Sequence, residues 1–116
     1  MTTNFRNEYG EVRVSDGVIA DIASQSAMSS YGIVGLAFRN ATEGILTLLK
    51  MDNLSKGVRI ETTGTGIIIH LDVVLEYGVR IAVVTQNIID TVKYNVETLT
   101  GLKVRHINVY VQGIRI

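Results

Sequence analysis

The segment from Ile67 to Tyr77 constrains the fold more than any other part of the sequence. Every odd-numbered residue in it is apolar, whereas the even-numbered positions include His70, Asp72 and Glu76. Successive side chains of a β-strand point to opposite faces, so this strand has one apolar face and one partly polar face. Such a strand covers a core on one side only. The odd-numbered face, including Tyr77, is therefore expected to line the core.

A long amphipathic helix is predicted directly after this strand, from about Val79 to Thr100. Gly78 separates the two elements, and Gly101 stands where a glycine commonly ends a helix. Apolar residues recur in the helix at intervals of three and four, the spacing of one helical face. The predicted core stripe consists of Ile81, Val84, Ile88, Val92, Val96 and Leu99, widened by Ala82 and Ile89.

The N-terminal part predicts a flexible lead-in followed by a strand and a first helix. Residues 1–9 are mostly polar and are expected to precede a single domain of residues 10–116. Residues 11–14 alternate as a strand with Val12 and Val14 facing inward. The helix should run from about residue 17 to residue 29, because Ser15 and Asp16 are both good N-caps. Its predicted stripe is Val18, Ile19, Ile22, Ala23 and Ser26.

The middle of the chain is less clearly patterned. Residues 31–38 are apolar, interrupted by glycine and too short to assign to one element. Within them, Gly32–Gly35 is interpreted as a tight apolar crossover packed on the core. Residues 40–43 resemble a capping box, so a short helix is predicted from Ile45 to about Met51. Residues 58–62 alternate as a strand, and the turn at 63–66 should pair it antiparallel with the strand that follows.

The final strand is predicted from Val104 to Ile116, with a bulge at Gly113. The elements together give the order β-α-(α)-β-β-α-β. Helices on one face of a small, mostly antiparallel sheet make a two-layer sandwich. The sequence therefore predicts an α+β fold.

Composition narrows the classes of function. The 116 residues are enough for one domain and carry a formal net charge of zero. Domains that bind nucleic acid through phosphates usually have a basic surplus, so nucleic acid is not an expected partner. The absence of cysteine excludes disulfides and thiolate chemistry. No apolar run approaches the roughly 20 residues of a membrane-spanning helix, and the first residues lack the apolar core of a signal peptide. A cytoplasmic location without direct membrane insertion is expected.

The polar strand positions are expected to share the open face of the sheet, which has three interpretations. His70 and Asp72 point the same way, and His106 joins them if its strand is a neighbour, giving ligands that suit zinc. The same groups form an acid–base site in the second interpretation, although an open face offers no enclosed pocket. In the third, the face is wet or covers a partner, since mixed charge on such a face is ordinary. The predicted face presents Glu11, Arg13, Arg59, Glu61, His70, Asp72, Glu76, His106, Asn108, Tyr110 and Gln112.

Two residues of the long helix, Val83 and Tyr94, do not belong to its apolar stripe. On a regular helix they project near each other on the opposite side, beside Asn87 and Asp90. They are either scattered surface apolars or a small patch for self-association or partner binding. Tyr110, on the open sheet face, completes this partner-binding hypothesis.

The sequence contains none of the catalytic signatures considered. Gly-x-Ser-x-Gly, a Walker-type glycine loop and His-Glu-x-x-His are all absent, so no catalytic residue and no cofactor is assigned. The tetrapeptide from Gly32 to Gly35 resembles the Gly-x-x-Gly loop with which KH domains clamp RNA between two helices. Its position between two predicted helices fits, but Ile33 and Val34 are apolar where a phosphate clamp would profit from cations. A KH-like RNA-binding module is the alternative function.

Four regions of the sequence resemble the alkaline shock protein family of Gram-positive bacteria, also called the envelope stress response family. They are Gly10–Ser15 leading into Val18–Ala23, then Gly32–Leu36, Leu71–Val79 and Val92–Val111. The match spans nearly the whole chain, and the ordered set is more specific than any single region. The resemblance implies a short form of a non-enzymatic cytoplasmic protein that self-assembles, contacts a membrane-embedded partner and serves the cell envelope under alkaline stress. It implies no catalytic residues.

Overall fold

The computed structural model describes residues 2–40, 45–48 and 55–116, with side chains described in 6–37 and 55–116. These ranges form an α+β fold with two helices. In chain order the elements are β1 (Thr2–Asn7), β2 (Gly10–Ser15), α1 (Asp16–Met28), β3 (Ile33–Asn40), β4 (Ile45–Leu48), β5 (Val58–Thr63), β6 (Gly66–Glu76), α2 (Ile81–Thr100) and β7 (Val104–Arg115).

Strand β6 is the centre of a five-stranded sheet. β7 runs parallel to it along one edge and is connected to it through α2. β5 and β3 share the other edge, and both run antiparallel to β6. β4 extends the far end of β3. The sheet is therefore mostly antiparallel, as the sequence predicts, with one parallel pair at β6 and β7.

The odd-numbered face of β6 forms one wall of the core. From Ile67 to Leu75 each side chain on this face is fully buried. These side chains pack in one cluster with buried residues of both helices, such as Ile19 of α1 and Ile88 of α2. Full burial of a branched aliphatic side chain contributes about 1.5–3 kcal/mol. The two helices thus cover the same face, and the predicted two-layer arrangement is confirmed.

A capping residue sets the start of α1 and another sets the end of α2. The Ser15 hydroxyl accepts a hydrogen bond from the Val18 N–H at 3.2 Å, which fixes the start of α1. Gly101 ends α2 in the left-handed conformation, with φ of 75°. Two predicted boundaries, the N-cap of α1 and the glycine after α2, are therefore confirmed.

One polar contact ties the two helices together inside the packed layer. The Asn95 side-chain amide donates to the Ser26 hydroxyl at 2.9 Å, and that hydroxyl donates to the Ile22 carbonyl at 2.7 Å. Ser26 is buried. A buried hydroxyl with both roles satisfied fixes the relative position of two helices at little desolvation cost.

Residues 2–7, expected to belong to a flexible lead-in, form strand β1 instead. β1 pairs antiparallel with β2 in a two-stranded sheet separate from the main one. The Glu11 carboxylate bridges Arg6 at 3.1 Å and Arg13 at 2.8 Å. Glu11 and Arg13 therefore do not share the open face of the main sheet, and the reason is that β2 pairs with β1 rather than with a main-sheet strand.

The prediction of a short helix from Ile45 to Met51 is wrong over residues 45–48, which form strand β4. β4 pairs antiparallel with the end of β3, from Ala37 to Asn40. Asn40, the predicted helix cap, is the last residue of β3. Residues 41–43 of the predicted capping box and residues 49–51 of the predicted helix lie outside the described residues. The described residues therefore form strands β3 and β4 where the predicted order has a second, short helix.

Several side chains that the periodicity placed in the core are exposed. All lie at the end of a helix, in a turn or in the β1–β2 hairpin, where the sheet does not reach them. Val14, Ile22 and Ile89 are partly buried as expected. The exposed ones are Val12, Val18, Tyr77, Ile81, Ala82 and Leu99.

Strand β7 contains two bulges. Its register with β6 shifts twice, leaving Arg105 and Gln112 as extra residues. The second shift lies directly before Gly113, so the bulge predicted there is confirmed. Residues 106–111 form an unbroken ladder between the bulges.

Gly66 allows β7 to approach the start of β6. A Cβ at this position would lie 2.5 Å from the Lys103 carbonyl oxygen and 2.9 Å from Cγ of Arg105. The oxygen is held in place because it accepts the Ile67 N–H at 2.9 Å. We expect Gly66→Ala to lower the free energy of unfolding by about 1–3 kcal/mol, as overpacking does, measured by urea denaturation.

Gly64 in the same turn is the matched control. A Cβ there would meet no atom within 4 Å. Gly64→Ala should change the free energy of unfolding by no more than about 0.5 kcal/mol. Equal losses in the two variants would show that close approach of β7 is not the cause.

Candidate interaction surfaces

A hollow of about 400 Å³ opens where β6 turns into α2. Tyr31, which follows α1, and Tyr77, which follows β6, stand on its walls. Val83 and Asn87 of α2, two of the predicted partner-binding residues, also line it. The full lining is Tyr31, Glu76, Tyr77, Gly78, Val79, Arg80, Val83, Val84 and Asn87. We call this feature the tyrosine hollow.

Gly32 brings the two tyrosines to the same hollow. It adopts φ of +87°, and a Cβ there would lie 3.0 Å from a Val84 methyl and 3.2 Å from a Val79 methyl. Its carbonyl accepts the Glu76 N–H at 2.9 Å. The backbone after α1 therefore lies directly against the start of α2, which brings Tyr31 into the lining of the hollow.

The same contacts decide between the two interpretations of the Gly32–Gly35 tetrapeptide. Packing of the tetrapeptide on the core is confirmed, because Gly32 and Gly35 are both buried, but the residues from Ile33 onward belong to strand β3 rather than to a crossover. Ile33 begins β3, so the tetrapeptide does not form a loop between two helices. The structural context that a KH-type clamp needs is absent from these described residues.

The chemistry of the tyrosine hollow suits a protein contact. Tyr31 is 80% exposed, Tyr77 72% and Val83 53%. Tyrosine offers a large amphipathic surface that loses little side-chain entropy on binding, and it is common among residues that dominate interface energies. Glu76 and Arg80 add one acid and one base to the same lining. Opposite charges beside aromatic walls orient a bound partner more than they attract it.

The four predicted partner-binding residues of α2 form a ridge rather than a patch. Val83, Asn87, Asp90 and Tyr94 are all exposed and follow one side of the helix. Asp90 accepts a hydrogen bond from the Gln86 side chain at 2.9 Å. With a rise of about 1.5 Å per residue, Val83 and Tyr94 are about 16 Å apart along the axis. Val83 and Tyr94 share one side of α2 as predicted, but three full turns separate them, so the four residues form a line instead of a compact patch. We call these residues the α2 ridge.

Tyr110 does not join the α2 ridge. It lies on β7, on the face of the sheet that the helices leave open, and is 40% exposed. Its hydroxyl lies 3.1 Å from Nδ1 of His70, and the two rings stack with centroids 5.9 Å apart. The Arg59 guanidinium lies 5.6 Å from the Tyr110 ring centroid, a cation–π distance. The ring is thus held in one orientation by its neighbours.

The open face carries a polar network across β5, β6 and β7. Nε2 of His70 lies 2.9 Å from Oε1 of Glu61. The Asp72 carboxylate lies 3.7 Å from Arg59 and accepts a hydrogen bond from the Gln112 amide at 2.8 Å. Strand parity predicts these residues on one face, and the structure brings them together. Most of their polar groups are satisfied by each other, as expected of a structured open face.

The weak metal candidates are not brought together as a metal site. Both ring nitrogens of His70 have side-chain partners, and His106 pairs in register with Ile68 rather than with His70 or Asp72. Within residues 2–40, 45–48 and 55–116, no three histidine, cysteine, aspartate or glutamate side chains are placed to hold a metal ion. His70 and Asp72 share one face of β6, as predicted. The register of β7 places His106 beside Ile68 instead of beside these two residues.

Sequence reasoning missed Tyr31, Tyr77 and Arg80 as members of a surface. Strand parity predicts Tyr77 in the core, and Tyr31 lies in a segment with no clear pattern. The glycines that follow them, Gly32 and Gly78, were the available signal. A turn at each glycine exposes the residue before it.

No helix in the part of the chain that the structure describes is long and apolar enough to cross a membrane.

A sequence model of the alkaline shock protein 23 family, described as having a cell envelope-related function, matches residues 4–116. No solved structure matches significantly.

Three bacterial relatives have similar sequences. The uncharacterized protein YloU of Bacillus subtilis is 38% identical over 117 aligned positions, covering the whole of this chain and 98% of the relative. The uncharacterized protein Spy1614 of Streptococcus pyogenes serotype M6 is also 38% identical over 117 positions, covering the whole chain and 97% of the relative. YqhY of Bacillus subtilis is 27% identical over 91% of this chain and 78% of its own length. The match along almost the entire chain shows that this protein belongs to the alkaline shock protein 23 family, whose function is related to the cell envelope.

Proposed function

We propose that this chain is a non-enzymatic assembly protein that serves the cell envelope, including its response to alkaline stress, by holding other proteins. The tyrosine hollow carries this proposal. It combines three exposed apolar or aromatic side chains, Tyr31, Tyr77 and Val83, with one acid and one base on a concave surface. Membership of an envelope-related family supports the proposed cellular setting.

The occupant of the tyrosine hollow in this proposal is a segment of a membrane-embedded protein partner. The chain itself lies in the cytoplasm and reaches the envelope through that partner. The envelope-related function of the family supports a partner at this location. A concave site with aromatic walls binds a partner side chain by burying its apolar surface, and Glu76 and Arg80 select polar groups at the rim.

The α2 ridge extends the same surface. Asn87 belongs to both features, since it lines the hollow and lies between Val83 and Asp90 along the helix. Tyr94, 69% exposed, marks the far end. A partner that fills the hollow and follows the ridge contacts about 16 Å of helix. Tyr110 lies on the other layer of the domain and is left out of this contact.

The first test is a pull-down with tagged protein from native host cells, from separate membrane and soluble fractions, with and without nuclease. We expect an envelope protein to be recovered from the membrane fraction in equal amounts with and without nuclease, identified by mass spectrometry. Recovery only of ribosomal or RNA-linked proteins that disappear with nuclease would contradict the proposal and favour the RNA-binding alternative.

A second test separates the hollow from the ridge. Tyr77→Ala or Val83→Ser should weaken capture of the recovered partner about tenfold or more, because truncating an anchor at the centre of an interface costs more than about 1.4 kcal/mol. Tyr94→Ala should weaken it less, since Tyr94 lies outside the hollow. Affinity is measured by titration calorimetry with the purified partner.

The double variant Tyr9→Ala with Val18→Ser is the matched control. It removes the same side-chain types from exposed positions that belong neither to α2 nor to the lining of the hollow. All variants should keep the unfolding midpoint of the natural chain within error, since the altered side chains are exposed. Equal capture by the Tyr77, Val83 and control variants would rule out the tyrosine hollow as the binding site.

A further inference from the structure

The outer edge of β7 is open in the part of the chain that the structure describes. β7 pairs with β6 along one side, from Val104 to Arg115, and no described strand pairs with its other side. Among the described residues it is the longest strand of the sheet. A long strand with one free edge is a template for pairing with another strand.

The hydrogen bonds of β6 identify which β7 residues point their backbone N–H and C=O groups away from β6, toward the free edge. Ile67 donates its N–H to the carbonyl of Lys103, directly before β7, and Tyr77 donates its N–H to the carbonyl of Arg115 at the end of β7. β6 has no extra residue in its pairing with β7, so the backbone N–H and C=O groups of all its odd-numbered residues point toward β7. In a parallel pair each such residue bonds to the residues on either side of its register partner. Ile69, Leu71 and Val73 are in register with Ile107, Val109 and Val111. Their bonds therefore reach His106, Asn108, Tyr110 and Gln112.

The three register partners consequently point their own N–H and C=O groups away from β6. Ile107, Val109 and Val111 present a regular row of donors and acceptors at the free edge. Natural sheets guard such edges with proline, lysine, bulges or short strands. Residues 106–111 contain no proline, no lysine and no Asp, Glu or Arg. The bulges at Arg105 and Gln112 lie at the two ends of this run and leave it uninterrupted.

We infer that a second copy of this chain adds its own β7 to this edge, antiparallel, about a twofold axis at Val109. Val109 then lies opposite Val109 of the second copy, and Ile107 lies opposite Val111. Each opposed pair consists of two outward-facing residues, so the three pairs exchange about six backbone hydrogen bonds. Two five-stranded sheets become one continuous sheet.

Side-chain matching supports this register. On the helix-covered side, the opposed pairs are all aliphatic: Ile107 is buried, and Val109 and Val111 are half-buried, so the two valines have surface left to cover. On the open side, Asn108 lies opposite Tyr110, and both are polar and exposed. A register shifted by one residue would oppose apolar and polar faces.

Charge also favours a second copy over an unrelated strand. The run from 106 to 111 has no residue of fixed charge, so self-pairing brings no like charges directly opposite each other. The formal net charge of the chain is zero, which lowers the long-range repulsion between copies. The strand is self-complementary about its centre, as a twofold interface requires. The inference rests on the proposed assembly function and gives it a defined interface between copies.

A proline at position 109 tests the edge directly. Val109 faces its N–H outward, so Val109→Pro removes a donor that the monomer does not use, and proline is tolerated on an edge strand. Size-exclusion chromatography with light scattering should give twice 12.7 kDa for the natural chain and 12.7 kDa for Val109→Pro. Circular dichroism should show the same secondary structure for both.

Two further variants serve as controls for the proline. Val109→Ala keeps the outward N–H and should remain dimeric. Asn108→Pro removes an N–H that donates to β6 and should lose the folded circular dichroism spectrum. A folded Asn108→Pro variant would overturn the assignment of inward and outward residues.

A cysteine at the twofold axis tests the register independently of whether Val109→Pro folds. The natural chain has no cysteine, so Val109→Cys introduces a single thiol. In a hydrogen-bonded antiparallel pair the two Cα atoms lie about 5.5 Å apart, within the range of a disulfide. Mild oxidation with diamide should convert most of Val109→Cys to a reducible dimer. Thr65→Cys, exposed in the β5–β6 turn, should remain mostly monomeric.

The outcomes distinguish this inference from the proposed function. A monomeric natural chain, or equal crosslinking of Val109→Cys and Thr65→Cys, would overturn the β7 dimer even if the tyrosine hollow still captures a partner. A Val109→Pro monomer that still captures that partner would support both, with separate surfaces. Loss of partner capture together with an intact dimer in Tyr77→Ala would support the β7 interface and assign the hollow to the partner.

Discussion

The sheet depends on the two edges of β6. One edge is shared by β5 and β3, and the other is filled along its length by β7. The same strand buries all of its odd-numbered side chains from Ile67 to Leu75 beneath both helices. Hydrogen bonding in the plane of the sheet and apolar burial perpendicular to it therefore meet in one segment. Every surface considered as an interaction site takes its position from an element packed on, or paired with, this strand.

The parts of the fold with strong periodicity were predictable from sequence. β6, α2 and the β5–β6 hairpin were recognised because alternation, helical spacing and turn glycines agree there. β4 was not, since residues 45–51 place apolar side chains at positions that fit a helix as well as a strand. What decides for the strand over residues 45–48 is pairing with β3, a tertiary contact that no local pattern contains. The same reason hid β1, whose partner is β2.

The candidate surfaces were predictable only in part. Val83 and Asn87 were identified because they fall outside the apolar stripe of α2. Their place in one hollow with Tyr31 and Tyr77 depends on Gly32, which lets a turn approach Val79 and Val84. Strand parity predicts which polar residues share the open face. The neighbours of His106 on that face depend on the β7 bulge at Arg105, which parity does not predict. Parity assigns a residue to a face, whereas register decides its neighbours.

The parallel pairing of β6 and β7 has a consequence for the order of folding. β5 and β6 are joined by a tight turn, and such hairpins form in about 1–10 μs. β7 reaches β6 only after the whole of α2 has been placed across the sheet, so this pairing is non-local and comes at a higher loop-closure cost. During synthesis β6 emerges before β7. The nascent chain therefore passes through a stage in which the central strand of the sheet is, for a time, an unprotected edge, and this is the stage most exposed to misassociation.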